Sequence, residues 1–169
     1  MKNIALIGFM GSGKTTLAGL LADKLHYNLC EVDNDIIGIS GYSSINEIFD
    51  KQGEDHFRGL EKIAIADALR KSNQVISCGG GVVNAPKTME LLKKNAIVVF
   101  LQADFKTITQ RLKDTTSRPL FRDMEKAMTL YAERLPLYEK YGDIKIETDE
   151  KSPEMIAESI IKKLANHGG

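Results

Sequence analysis

One octapeptide restricts this chain more than anything else in it: Gly8-Phe9-Met10-Gly11-Ser12-Gly13-Lys14-Thr15 satisfies the pattern GxxxxGK[S/T]. The pattern requires a strand before it and a helix after it. Both are present in outline. Residues 4–7 form a short apolar run of the kind that makes a buried strand, and Leu17, Leu21 and Leu25 recur at four-residue intervals in the segment that follows. Chemistry accounts for each position. Glycines let backbone N–H groups converge on phosphate oxygens without interference from a Cβ. The helix N-terminus adds partial positive charge. Lys14 is placed to reach the β- and γ-phosphates, and the Thr15 hydroxyl to hold Mg²⁺. Such an octamer arises by chance in only about 1% of chains of this size. The competing reading is a glycine-rich strand-to-helix turn with an exposed lysine; the flanking strand and helix favour a nucleotide site.

The rest of the chain continues the alternation. Short, β-branched-rich runs at residues 29–32, 75–78, 97–101 and 144–146 are separated by longer segments with helical spacing. Phe105, Ile108 and Leu112 follow Asp104, a predicted N-cap. Ile156, Ile160 and Leu164 follow Ser152-Pro153, and Ser44 with Glu47 has the capping-box pattern. Strands separated by helices predict right-handed βαβ units. The expected class is α/β, with a parallel sheet covered by helices on both faces. Residues 1–169 read as a single domain with its core at 1–33, 74–112 and 142–169. Two intervals are too long for simple crossovers. Residues 34–73 predict two or three helices in an inserted lobe. Residues 113–124, polar and interrupted by Pro119, predict a flap or lid.

Composition narrows the partners. Lys plus Arg is 23 and Asp plus Glu is 23, a formal net charge of zero. That argues against a polyanion-coating protein and, with no basic aromatic-rich face, against a nucleic-acid role. The two cysteines, Cys30 and Cys78, each lie in an apolar run; they read as small buried hydrophobes in a reducing compartment rather than a disulfide framework. No stretch approaches 18 consecutive apolar residues. The run at residues 4–10 has one Lys before it and no small-residue cleavage pattern after it. A monomeric, cytoplasmic protein with no membrane contact is expected.

A phosphate loop alone serves switches, motors and small-molecule kinases. A motor normally needs more chain, and the NKxD tetrapeptide with which GTPases read guanine is absent. A kinase needs an acceptor pocket and a lid that excludes water. Three clusters fit those needs. Glu31-Val32-Asp33-Asn34-Asp35 falls at the C-terminal end of the second strand, where open α/β sheets place ligands. A carboxylate there can take a proton from an attacking hydroxyl or hold Mg²⁺ through water, although Asp35 alone reads equally as a helix N-cap. Gly79, Gly80 and Gly81 follow the third strand; close backbone approach to a ligand compensates their entropic cost, and a loose turn is the plainer alternative. Arg58, Arg118 and Arg134 suit bidentate recognition of carboxylate or phosphate, although each taken singly is more often a solvated surface charge.

The order of these elements resembles the shikimate kinases, within the nucleoside-monophosphate-kinase-like P-loop group, and the resemblance implies a three-layer fold whose five-stranded parallel sheet, in the order 2-3-1-4-5, is flanked by helices. The resemblance rests on the GFMGSGKTT loop, on Ile48-Phe49 with Gly53-Glu54-Asp55-His56-Phe57-Arg58-Gly59-Leu60-Glu61, and on Cys78-Gly79-Gly80-Gly81-Val82-Val83. Ser117-Arg118-Pro119-Leu120 and Arg134-Leu135-Pro136-Leu137-Tyr138 complete it, and the match runs from about residue 3 to residue 165. The family's function implies ATP-dependent phosphorylation of the 3-hydroxyl of shikimate, an alcohol-group phosphotransfer in aromatic amino-acid biosynthesis, with Mg²⁺ as cofactor. It implies nucleotide contacts at Gly11, Ser12, Gly13, Lys14, Thr15, Thr16, Arg111 and Arg118, with Arg111 packing on the adenine. It places shikimate against Asp33, Arg58, Gly79, Gly80, Gly81 and Arg134. Lys14, Asp33 and Arg118 become the catalytic candidates, Asp33 as base and Arg118 as the lid arginine. Lys151 falls where the family sets a basic or polar residue near adenine.

The chain departs from the family at one informative place. The usual DxD of the second strand is Glu31-Val32-Asp33, so the metal contact through water falls to Glu31. Asp33 and Asp35 form a second candidate pair; spacing back from Arg58 and Gly41 favours Asp33 as the substrate residue. Two other readings stay open on sequence grounds. One is a related kinase for another polyol acid such as gluconate; the other is a nucleotide-dependent binding module that has lost turnover.

Overall fold

A computed structural model describes residues 2–112 and 123–168. Its five strands are β1 (Asn3–Ile7), β2 (Asn28–Glu31), β3 (Gln74–Ser77), β4 (Ala96–Gln102) and β5 (Ile144–Glu147). All pair in parallel, in the order β2-β3-β1-β4-β5. This is the expected topology, and β1 lies at its centre for a physical reason: all five of its residues are buried. A strand buried on both faces needs a layer on each.

The two faces can be read from the alternation within β1. Ile4 and Leu6 point to one side, where they join Leu17, Leu21, Ile156 and Ile160 from α1 (Lys14–Leu25) and α7 (Pro153–His167). Ala5 and Ile7 point to the other. There they meet residues of α2 (Val32–Ser40), α3 (Ile45–Leu69), α4 (Pro86–Asn95), α5 (Phe105–Leu112) and α6 (Met124–Tyr141), including Ile36, Ile65, Leu92, Ile108 and Tyr138. Cys30 and Cys78 are free and buried in this second core. No helix among the described residues is long and apolar enough to cross a membrane.

Local signals in the sequence explain several helix ends. Ser152 caps α7, its Oγ accepting from Met155 N–H at 3.2 Å, with Pro153 in the first turn. Ser44 caps α3 through Glu47 N–H at 3.1 Å. The reciprocal half of the expected box is shifted by one residue: Glu47 accepts from the N–H and hydroxyl of Ser43, at 2.9 and 2.6 Å. Its bond with Lys51, followed by those from Ser43, holds the Glu47 carboxyl down at about 2.

One boundary differs from the sequence reading, at the end of the second strand. Val32 opens α2 instead of ending β2, so Asp33 stands in the first turn of a helix. The predicted two or three helices of residues 34–73 are α2 and α3, and α3 is broken at Gly53, whose φ of 80° and ψ of 174° are non-helical. The predicted 113–124 flap lies outside the described residues except for its last two, which are the N-cap (Asp123) and first residue (Met124) of α6.

Leu21 is fully buried between α1 and the sheet. Leu21→Ala should cost about 2–5 kcal/mol, the range for large-to-small changes in a packed core. Urea unfolding should show a lower midpoint with an unchanged slope; an unchanged midpoint would mean that this layer is not packed as described.

Candidate active site

The phosphate loop sits between the end of β1 and the start of α1. Gly11 and Gly13 have φ of 78° and 94°, conformations that favour glycine. Space is equally restrictive. A Cβ on Gly8 would stand 2.6 Å from the Leu101 carbonyl, and one on Gly11 would stand 2.8 Å from Leu112 Cδ1. Lys14 folds over the loop and donates from Nζ to the carbonyls of Gly8 and Phe9, at 2.7 and 3.0 Å. Its charge is therefore poised above the backbone arch where phosphates would bind. The Ser12 side chain is turned inward, buried and without a hydrogen-bond partner at Oγ among the described residues.

A cleft of about 400 Å³ opens beside this loop, with Gly11, Lys14, Thr15, Glu31, Asp33 and Gly80 on its walls. It brings most of the predicted nucleotide and acceptor residues together. A smaller hollow of about 240 Å³ lies behind the loop, between Ser12, Gly13, Thr16, Arg111, Lys151 and Pro153. Arg111 is fixed there by three acceptors: the Gly11 carbonyl at 3.2 Å, Thr148 Oγ1 at 3.4 Å and the Thr148 carbonyl at 3.1 Å. A planar guanidinium opposite a proline ring is a suitable slot for a flat heterocycle.

The acidic cluster is sorted by its geometry. Cys30 Sγ donates to Asp35 Oδ2 at 3.2 Å, which turns Asp35 back toward β2. Burial, reinforced by that bond, pushes the Cys30 thiol up to about 12. Asp35 caps no helix, since Glu31 is the N-cap of α2. Asp33 faces the other way: a Cβ on Gly79 would lie 3.3 Å from Asp33 Oδ1. Glu31 accepts from Asn34 Nδ2 at 2.7 Å and lines the cleft. Of the two candidate pairs, Glu31 and Asp33 both line the cleft, whereas Asp35 is not among its lining residues.

Arg58 and Arg134 arrive from different helices at the same turn. A Cβ on Gly81 would overlap the Arg58 guanidinium and would stand 3.1 Å from Arg134 Nη2. One on Gly80 would stand 3.4 Å from Arg134 Nη1 and 3.6 Å from the Met10 backbone nitrogen. Any side chain at Gly81 would displace the Arg58 guanidinium. Arg134 also lies over the Phe9 ring, 5.9 Å from its centroid. Both guanidinium groups keep a buried Nε without a hydrogen-bond partner among the described residues. Buried donors of that kind are normally satisfied, and an anionic ligand between them would do so.

Two further residues belong to this site although the sequence reading assigned them no role. Glu61 is fully buried and accepts from Arg58 Nη1 at 2.8 Å. Burial raises its carboxyl above the ordinary value, against the opposing pull of Arg58. Its signal was the three-residue spacing from Arg58 on one helix. Tyr138, one turn beyond Arg134, donates to the Gly80 carbonyl at 2.5 Å. Arg118 lies outside the described residues.

The chain is similar to known proteins over nearly its whole length. The shikimate kinase family model matches residues 10–165. A shikimate kinase of Caldicellulosiruptor saccharolyticus is 45% identical over 164 residues, covering 95% of this chain and 94% of that protein. One from Thermodesulfovibrio yellowstonii is 45% identical over 166 residues, covering 96% and 95%. The structure of shikimate kinase from Acinetobacter baumannii in complex with shikimate superposes with a TM-score of 0.91 at 30% identity, over 99% of this chain and 94% of that one. With a phosphate loop, an acidic residue and two arginines around one glycine turn, and with this similarity over nearly its full length, the chain belongs to the shikimate kinase family.

Proposed function

We propose that this protein transfers the γ-phosphoryl group of ATP to the 3-hydroxyl of shikimate, giving shikimate 3-phosphate and ADP. The observation that carries the reading is the meeting of Arg58 and Arg134 at Gly81, beside a cleft shared by Lys14 and Asp33. Two guanidinium groups around a turn with no side chains suit one planar carboxylate. A carboxylate across the cleft suits a ring hydroxyl.

In this reading Arg58, Arg134 and the backbone of Gly79–Gly81 hold the acid end of shikimate and orient its ring. Asp33 accepts the proton of the 3-hydroxyl as that oxygen bonds to the γ-phosphorus. The bond to the bridging oxygen breaks, and ADP departs with the electron pair. Lys14 leaves the carbonyls of Gly8 and Phe9 to stabilise charge on the transferring group. The adenine lies in the hollow between Arg111 and Pro153.

Mg²⁺ would be held by the Thr15 hydroxyl and, through water, by Glu31, both on the cleft wall. The donor set fits: these are hard oxygen ligands, and no group of three or more His, Cys, Asp or Glu among the described residues could cage an ion without the nucleotide. An ion carried largely by phosphates and water is the usual state of Mg²⁺. When bound it neutralises charge on the β- and γ-phosphate oxygens.

The direct test is a coupled ADP-release assay with Mg-ATP. Shikimate-dependent turnover is expected; turnover with gluconate in its place would favour the related polyol-acid kinase, and no turnover with either would leave a binding module. A second measurement separates the two arginines. Arg134→Ala should raise the shikimate KM by about a hundredfold, the worth of a lost charged hydrogen bond of about 3 kcal/mol, with the ATP KM nearly unchanged. Arg58→Ala should do the same and also destabilise the fold by about 1–3 kcal/mol, because Glu61 is left buried without its cation. The sign of the pH effect follows from Glu61. Its folded value is raised above that in the unfolded chain, so its contribution is full below about pH 4.3 and is lost as pH rises through the folded value. The stability deficit of Arg58→Ala should therefore be larger at pH 8 than at pH 5. A deficit independent of pH would show that Arg58 does not compensate Glu61.

A further inference from the structure

The turn at residues 79–82 has a choice built into it. Val82 N–H donates to the Gly79 carbonyl at 3.2 Å, so the peptide joining Gly80 to Gly81 is the central peptide of a β-turn. Such a peptide has two orientations. In a type I turn the third residue has φ near −90° and ψ near 0°; in type II the peptide is turned over and that residue takes φ of about +80°. Gly81 stands at φ −89° and ψ 3°, the type I form. Both central residues are glycine, so the flipped form carries no Cβ penalty and the turn's own sequence does not choose between them.

A contact from another element does choose. Tyr138 donates from its hydroxyl to the Gly80 carbonyl at 2.5 Å. The ring is 1% exposed and is stacked on Phe100 of β4, with centroids 5.3 Å apart and planes at 21°, so the hydroxyl position is set by the sheet beneath. The carbonyls of Gly79 and Gly81 are taken by the N–H groups of Val82 and Asn84. In a trans peptide the carbonyl and the following N–H point in opposite directions. Holding the Gly80 carbonyl on Tyr138 therefore turns the Gly81 N–H to the opposite side. A flip would put a carbonyl oxygen where that N–H stands, so a carboxylate held at Gly81, whose Cβ position meets Arg58 and Arg134, would find an acceptor in place of a donor.

We propose that Tyr138 is a positioning residue that selects the type I orientation of the Gly80–Gly81 peptide and so sets the cradle for the acid group of the acceptor. The inference rests on the reading of Arg58, Gly81 and Arg134 as that cradle. Burial pushes the Tyr138 phenol up to about 12, which keeps it a donor throughout the working pH range.

Tyr138→Phe keeps the ring and removes the hydroxyl, and steady-state kinetics with each substrate varied tests the idea. The shikimate KM should rise about tenfold, equivalent to about 1.4 kcal/mol. The ATP KM should stay within about twofold, and kcat should fall less than the KM rises. The Gly81 amide resonance in a ¹⁵N-labelled sample should shift or broaden. An unchanged shikimate KM, or equal rises in both KM values, would overturn the proposal. If Tyr138→Phe does not fold, Phe100→Leu keeps the phenol but removes its stacking partner. It should give the same selective rise, about threefold, and no selective change would again overturn the proposal. Absence of shikimate turnover in the unaltered protein would instead refute the functional reading on which the cradle rests.

Discussion

The parallel pairing of β1 with β3, in which Leu6 stands opposite Ser77, determines where chemistry can occur in this chain. Both strands end at the same edge of the sheet, and the pair is closed by Cys78 N–H donating to the Leu6 carbonyl at 3.1 Å. Each strand then turns through glycine. The register brings those turns into contact, so that the Cβ position of Gly80 lies 3.6 Å from the Met10 nitrogen and 3.7 Å from the Gly8 carbonyl. The glycine arch that opens at Gly8 and the glycine turn that opens at Gly79 become neighbours through backbone pairing alone. A one-residue slip would part them and would also exchange the two buried faces of β1.

Electrostatics is organised around the same edge. The chain as a whole is neutral, yet Lys14, Arg58 and Arg134 all reach the glycine turns. Two acids pair with Arg58: exposed Glu54 at 3.4 Å and, closer at 2.8 Å, the fully buried Glu61. Such a carboxylate is expensive to bury, and a hydrophobic residue in its place would often be neutral or better for stability. What it does supply is orientation: it fixes one end of a long, flexible cation at a position where the turn has no side chain to constrain it. Phe57 adds an aromatic face, its ring centroid 5.1 Å from the Arg58 guanidinium carbon. Tyr138 touches both parts of this arrangement, since its hydroxyl donates to the Gly80 carbonyl and is also hydrogen-bonded to Arg134.

Much of this was legible in the sequence, for reasons that differ by residue. The strands and both layers follow from short β-branched runs alternating with amphipathic segments, because period and burial are local properties of the chain, whereas the strand order came with the resemblance to a P-loop family. The phosphate loop was legible because its conformation demands glycine at Gly11 and Gly13. Distinguishing Asp33 from Asp35 was harder. The contact that turns Asp35 away is with Cys30, a bond between a strand and the helix after it that no spacing rule encodes. Glu61 and Tyr138 were present in the motifs but silent, since their roles depend on what Arg58 and Gly80 touch after folding. The helix start at Val32 was missed because a β-branched residue at the end of an apolar run looks like strand.

In the proposed reading one glycine turn, framed by two arginines, receives the acceptor's acid group while Asp33 receives its hydroxyl proton. A crystal structure of the protein with shikimate and ADP tests it most directly. The expected result is a carboxylate within about 2.7–3.2 Å of both Arg58 and Arg134, with the 3-hydroxyl on Asp33 and pointing to the phosphate loop. A carboxylate bound away from those arginines, or a 3-hydroxyl paired with Asp35, would contradict the account.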